Sequence, residues 1–397
     1  MNTIEQRVAR ETRAMTKKAV MLKAYAGHIT WLQAAIILDY TPRHLRRIRA
    51  RYEEYDFEGL RDGRAGGQRA KRTPQETIEK LLQLRRERYA DFSVKHFHER
   101  ITEKHGLGIS YTWTKQVLFA HKLAERSDGR GKYRRKRERR PMVGMLVHQD
   151  ASTHPWLADP PPQDLVLTLD DADGRALHGR FVPQEGTLPT MEALRHVLTR
   201  NGRFCEFYTD RGSHFCTTSV AGAGPDAEQH GQVARALKAL GIRQILARSP
   251  EARGRSERAF KTIQGRLPQE LRAAGIRTYE AANRYLTEVF IPDFNRRFTV
   301  RPAQPESAFT KLVGVDLSLL LSVQHDRIVA KDNTVHFEGL VLQLEPTRHR
   351  AHFVRCPVLV HELTDGTLAV TYQGRTLARF TRDGHPIRRP AAARSAA

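Results

Sequence analysis

The hydrophobic pattern of this chain changes period at Pro141. Before it, apolar residues recur every three or four positions; after it, short apolar runs alternate or fill continuously between turn residues. A chain with that switch folds as helical modules in front of a mixed α/β body. Its 397 residues leave room for both, at roughly 100–200 residues per domain.

Charge divides at the same place. Residues 1–140 carry 34 basic and 17 acidic side chains, a net of +17, and the rest of the chain adds only +6. Such a basic front end points to nucleic acid, with a different task behind it. No apolar run approaches the ~20 residues of a membrane span. Three scattered cysteines (Cys205, Cys216, Cys356) cannot frame a disulfide fold. Together these features lead us to expect an intracellular protein.

Residues 16–60 read as a helix-turn-helix. One helix starts after Thr30. Thr41-Pro42 then supplies a capping hydroxyl and a first-turn proline for the next. In that helix Leu45, Ile48 and Tyr52 form one stripe, and Arg43, Arg46 and Arg47 lie on the other face, free for a major groove. Residues 56–73, rich in Gly and Arg, read as a linker. Residues 74–124 form a second helical set, helix-turn-helix-like, with Lys115 and Lys122 as DNA contacts; plain three-helix packing fits it as well. Within the basic linker 125–141, Arg134, Arg135, Lys136 and Arg137 are candidates for tracking phosphates.

The body, 142–300, reads as three strands (142–148, 164–170, 175–182), then helix–strand–helix–strand–helix, with a loop at 222–231. Short strands from 320 to 385 (327–330, 334–337, 340–344, 352–355, 358–363, 368–372) suggest a small β-barrel, and 386–397 a disordered tail.

Three acids stand where strands end or a helix begins. Asp150 closes the first strand, Asp210 the fourth, and Glu257 opens the last long helix. Converging carboxylates make a hard-oxygen site suited to Mg²⁺. Taken singly, Asp210 also reads as a turn residue and Glu257 as a solvated ion pair.

The residues that carry a resemblance are Asp150-Ala151-Ser152-Thr153-His154-Pro155-Trp156, Asp210-Arg211-Gly212-Ser213-His214-Phe215, the stretch from Ser249 to Arg258, and the stretch from Phe294 to Pro302. With them the chain, from about residue 17 to 345, resembles the DDE transposases of the insertion-sequence (ISNCY-like) branch in the retroviral-integrase superfamily. The resemblance implies a multidomain α/β protein: N-terminal all-α helix-turn-helix modules, an RNase H-like catalytic core and a C-terminal small β-barrel. Asp150, Asp210 and Glu257 are then the catalytic and metal-binding triad for two Mg²⁺ (or Mn²⁺) ions, roughly 3.5–4 Å apart. Arg253, Arg255 and Arg258 beside the glutamate hold phosphates. Asp170 and Asp171 rank as structural. Pro268 is expected to break the helix after Glu257. The zinc module of many integrases is expected to be missing, since no cysteine precedes Cys205.

The implied partners are double-stranded DNA, both transposon ends and target, and further copies of the chain on that DNA. The implied location is cytoplasmic, at the nucleoid. A DNA-binding regulator, or an RNase H-like nuclease without strand transfer, remains the alternative.

Overall fold

The computed structural model describes residues 4–60, 73–125, 138–215, 231–247, 254–347 and 350–387. The chain divides between Lys80 and Leu81 into two compact units.

The first unit holds α1 (Ile4–Tyr25), α2 (Trp31–Ile37) and α3 (Pro42–Leu60). Thr30 and Gln33 form a capping box: the Gln33 N–H donates to Thr30 Oγ1 at 3.2 Å and the Thr30 N–H to Gln33 Oε1 at 2.8 Å. Thr41 caps α3 through the His44 N–H, and Pro42 is its first residue. Leu45 and Ile48 are buried against α1 and α2, while Arg43, Arg46 and Arg47 are exposed. The helix-turn-helix expected here is formed.

One boundary is corrected. The expected linker begins too early, because α3 continues past a kink at Asp56 (φ 49°) to Leu60. Leu60 is buried and Phe57 packs beside it in the α1–α3 core. A Cβ at Gly59 would collide with the Arg51 carbonyl, so the close return of the kinked chain requires glycine.

The second unit starts within α4 (Gln75–Glu87) and continues with α5 (Val94–His105) and α6 (Tyr111–Ala120). Ser93 and Ser110 cap α5 and α6 through the N–H groups of His96 and Trp113. The body then follows: β1 (Leu146–His154), β2 (Gln163–Asp170), β3 (Ala176–Val182), α7 (Thr187–Asn201), β4 (Glu206–Thr209), α8 (Gln232–Ala239), β5 (Arg243–Leu246), α9 (Gly254–Gln264) and α10 (Leu267–Ala273). After α11 (Tyr279–Tyr285), a π-helical turn, Leu286–Phe290, leads into α12 (Ile291–Phe298). The turn sits where Pro292 has no N–H for an ordinary helical bond.

The sheet order is β3-β2-β1-β4-β5, antiparallel from β3 to β1 and parallel from β1 to β5. Val147 and Phe207 face α7 and α8 on one side. Leu165, Leu167 and Leu169 face Phe260 and Ile263 of α9, and α10 to α12, on the other. Pro268 does end the glutamate-bearing helix: α9 stops at Gln264 and α10 restarts with Pro268 in its first turn.

Charge fastens α5 to this second layer. Glu270, on α10, is 4 % exposed. It receives His96 Nε2–H at 2.8 Å and the Tyr285 hydroxyl at 2.9 Å, and it pairs with Arg100. Arg100 also reaches Asp293 at 3.3 Å, and Arg266 and Arg297 hold Glu99 at 2.7 and 3.2 Å.

Beyond α13 (Leu317–Leu320), the strands β6 (Val323–Ile328), β7 (Thr334–Phe337), β8 (Leu340–Gln343), β9 (Pro357–Glu362), β10 (Leu368–Tyr372) and β11 (Arg375–Phe380) share one core. Among the described residues they pair as an open four-stranded sheet, β11-β10-β9-β6, and a separate hairpin, β7-β8, rather than as a closed barrel. The expected strand at 352–355 is a turn, with Arg355 at φ 62°, and β11 was not anticipated.

Candidate active site

Asp150 lies in the middle of β1, not at its end: the expected first strand, 142–148, is shifted to 146–154. Side chains alternate along a strand, so Asp150 shares a face with His148 and Ser152, beside Leu167, its partner on β2. This is the face covered by α9. On the parallel neighbour β4, Leu146 pairs with Glu206 and His148 with Tyr208. Carried two residues further, that register sets Asp150 level with Asp210, which follows β4 directly. Both acids are half-buried. Asp150 Oδ1 accepts the Ala151 N–H at 2.9 Å, and Asp210 Oδ1 the Gly212 N–H at 2.9 Å. The nearby His214 imidazole is pushed below its ordinary range by burial, partly offset by Asp210.

The helix α9 runs alongside β1. Near its start Arg255 Nε lies 2.9 Å from Asp171 Oδ1, which also takes His148 Nε2–H at 2.8 Å; at its end Gln264 Nε2 donates to Ser152 Oγ at 2.9 Å. Nine helical residues rise about 13.5 Å, matching the roughly 13 Å from His148 to Ser152 along the strand. Glu257 therefore lies about level with Gln149 and Asp150. Arg255 and Thr262 turn toward β2, lining a cavity of about 170 Å³ with Arg139, His148 and Arg258. Glu257 follows Arg255 by about 200° round the helix, which aims it at the opposite side, toward β4 and Asp210. It is exposed. Among the described residues no group of three His, Cys, Asp or Glu side chains stands close enough to hold a metal ion. The three acids share one side of the sheet without closing on a point.

The other acids of this region are engaged structurally. Asp170 Oδ2 accepts the N–H of Gly144 (φ 81°) at 2.7 Å and Oδ1 that of Ala172 at 2.8 Å; burial raises its pKa to about 6. Asp171 is held down to about 2 against its burial by His148, the Arg140 N–H and Arg255. Asp171 thus ties the strand bearing Asp150 to the helix bearing Glu257, a role that sequence reasoning did not assign. Its signal was only a second acid after Asp170.

Of the basic candidates, Arg258 is exposed and Arg255 is half-buried against Asp171. Lys115 is exposed on α6, and Lys122 is exposed just past the end of that helix (φ 54°). Arg253, the run Arg134, Arg135, Lys136 and Arg137, and most of the 222–231 loop lie outside the described residues. No described helix is long and apolar enough to cross a membrane.

The fold is a helix-turn-helix followed by helices and an α/β body on a five-stranded mixed sheet. Residues 44–118 match the model of the family described as "Homeodomain-like domain". The chain is 30 % identical to "Putative transposase y4bF" of Sinorhizobium fredii over 373 residues, 93 % of this chain and 81 % of that protein. It is 26 % identical to the transposase for insertion sequence IS1202 of Streptococcus pneumoniae, over 89 % of this chain and 83 % of the relative. Solved structures align loosely. A simian T-cell lymphotropic virus intasome chain covers 75 % of this chain, and 99 % of its own length, with TM-score 0.34 and 14 % identity. The HTLV-2 integrase catalytic core solved with magnesium covers 37 % of this chain, and 89 % of its own length, with TM-score 0.28 and 15 % identity. On its sequence relatives, the chain belongs to the transposases.

Proposed function

We propose that this transposase binds the terminal repeats of its element and cuts the ends by metal-dependent phosphodiester hydrolysis. It then joins the freed 3′-OH ends to target DNA. The observation that supports this most is the placement of Asp150 on β1, Asp210 just after β4 and Glu257 on α9, on one side of the sheet and at about one level. Their oxygens are hard donors, the chemistry Mg²⁺ or Mn²⁺ takes, and all three reach solvent. Two such ions, when bound, supply a water nucleophile at neutral pH and offset charge on the leaving 3′ oxygen.

The chain's own groups do the positioning. The Ala151 and Gly212 N–H groups orient the two aspartates, Asp171 holds α9 through Arg255, and exposed Arg258 meets a phosphate beside Glu257. Arg253 is assigned the same phosphate-holding role from sequence. We assign 16–60 and 74–124, with Lys115 and Lys122, to DNA binding, 142–300 to catalysis, and the working form to more than one copy on DNA.

The test is an oligonucleotide assay with a pre-cut terminal repeat and a target duplex. Joined product is the expected result. Hydrolysis without joining returns the nuclease reading, and binding without either returns the regulator.

The first unit carries its own expectation. Arg43, Arg46 and Arg47 stand clear of the buried Leu45–Ile48 stripe. Alanine at the base-reading one among them relaxes preference at one base pair by about 1–3 kcal/mol in a binding-site selection. Uniform weakening over all sequences would instead make them phosphate contacts.

A further inference from the structure

A second charged cavity lies at the free edge of β3, away from the three acids. It measures about 430 Å³ and is walled by β3, α7 and the α11 region. In the β2–β3 register Thr168 faces His178 and Val166 faces Arg180, so both β3 side chains point to the α7 side, away from Leu167 and α9. From α7 come Glu192, Arg195, His196 and Arg200, at i, i+3, i+4 and i+8, one face of the helix. The opposite face, Met191, Leu194, Val197 and Leu198, is buried in the core.

The charges there do not balance. Three arginines and two histidines meet one carboxylate among the described lining residues, Glu192, which is paired with Arg180. The His178 and His196 rings lie 4.5 Å apart. Burial, then His196, Arg180 and Arg200, push His178 down to about 3; burial, then Arg200 and Arg195, lower His196. Both imidazoles are therefore neutral near pH 7, and the lining itself keeps a surplus of two guanidinium charges, with the Asp365 carboxylate acting on Arg195 from outside it. Arg195 and Arg200 are exposed and about 7.5 Å apart along the helix, a spacing that serves two phosphates better than one.

We infer that this cavity is a second DNA site, taking phosphodiester groups of a duplex segment other than the one at the three acids. Arginine forks fit phosphate oxygens, and a neutral imidazole can donate to the same group. The site rests on the reading that the chain acts on DNA, but its test stands apart from cleavage.

In the full-length protein, a photo-crosslinking phenylalanine replaces Thr199 on the cavity lip, and a labelled duplex lacking any terminal repeat is offered. The expected result is a protein–DNA crosslink that Arg195→Ala/Arg200→Ala removes. In the parent protein the same double change lowers the slope of log K against log salt by about 2, with thermal unfolding unchanged. Three outcomes overturn the inference: a crosslink to a second copy of the chain, displacement by inorganic phosphate with no DNA crosslinked, or an unchanged salt slope. Cutting of a bound terminal repeat is scored separately. A Thr199-substituted protein that crosslinks, beside a parent protein that never cuts, defeats the proposed function and leaves this site standing.

Discussion

Glu257→Gln, Asp150→Asn and Asp210→Asn each lower end cleavage and joining by roughly 10³-fold or more while terminal-repeat binding stays within about twofold. The amides keep the shape of the acids and remove the negative charge on which the proposed metal site depends. Binding survives because the exposed arginines of α3 belong to a separate compact unit. Titration of the wild type with Mn²⁺, followed by its paramagnetic signal, gives a readout independent of turnover, and each variant weakens it. Near-normal cutting by Glu257→Gln, with unchanged Mn²⁺ binding, would remove that residue from the site. Because Glu270 is buried under His96, Arg100 and Tyr285, it is no substitute.

Glu270 itself carries the second large effect, on stability. Glu270→Gln leaves Arg100, 6 % exposed, without its main counter-charge, and His96 and Tyr285 with a weaker acceptor. Breaking a buried pair from one side costs about 3–5 kcal/mol, which urea unfolding of the second unit would register. The pH dependence has a definite sign. The Glu270 carboxyl is held down to about 2 by hydrogen bonds and charge from His96 and Arg100, against its own burial. Its contribution is complete above the ordinary range near 4.5 and is lost as pH falls from there toward 2. His96 is lowered, first by burial, so the unfolded chain takes up a proton there that the folded chain refuses as pH drops through about 6.5. Both act in one direction, and in Glu270→Gln the loss of stability between pH 4.5 and 2 becomes shallower. An unchanged acid limb would deny Glu270 this role.

What the sequence disclosed and what it hid have physical causes. Caps and periodicity are local, so Thr41-Pro42 marked a helix start correctly. The first strand was misplaced because Met142 to Met145 are as apolar as a strand. Gly144, however, turns there at φ 81° and its N–H is taken by Asp170. The final β domain was legible as short strands but not as a closure, since pairing between β6 and β9 joins segments some thirty residues apart. The charged seam from α5 to α10 and α12 was invisible for the same reason: its partners are separated by more than 160 positions and carry no local pattern.

The motif running from Phe294 to Pro302 contains an asparagine whose work only the fold reveals. Asn295 accepts the Ala176 N–H at 2.7 Å and donates to the Ala176 carbonyl at 2.9 Å; Asn283 does the same for Phe181, at 2.7 and 3.1 Å. Two side-chain amides thus impersonate a sixth strand beside β3. Twelve helical residues span about 18 Å and five strand residues about 16–17 Å, so the π-helical turn between the asparagines falls where the two rulers must be reconciled. The backbone of Ala176 and Phe181 has no donor or acceptor left to offer a stranger. Another chain is thereby denied, at Ala176 and Phe181, the main-chain pairing that would extend the sheet along that margin.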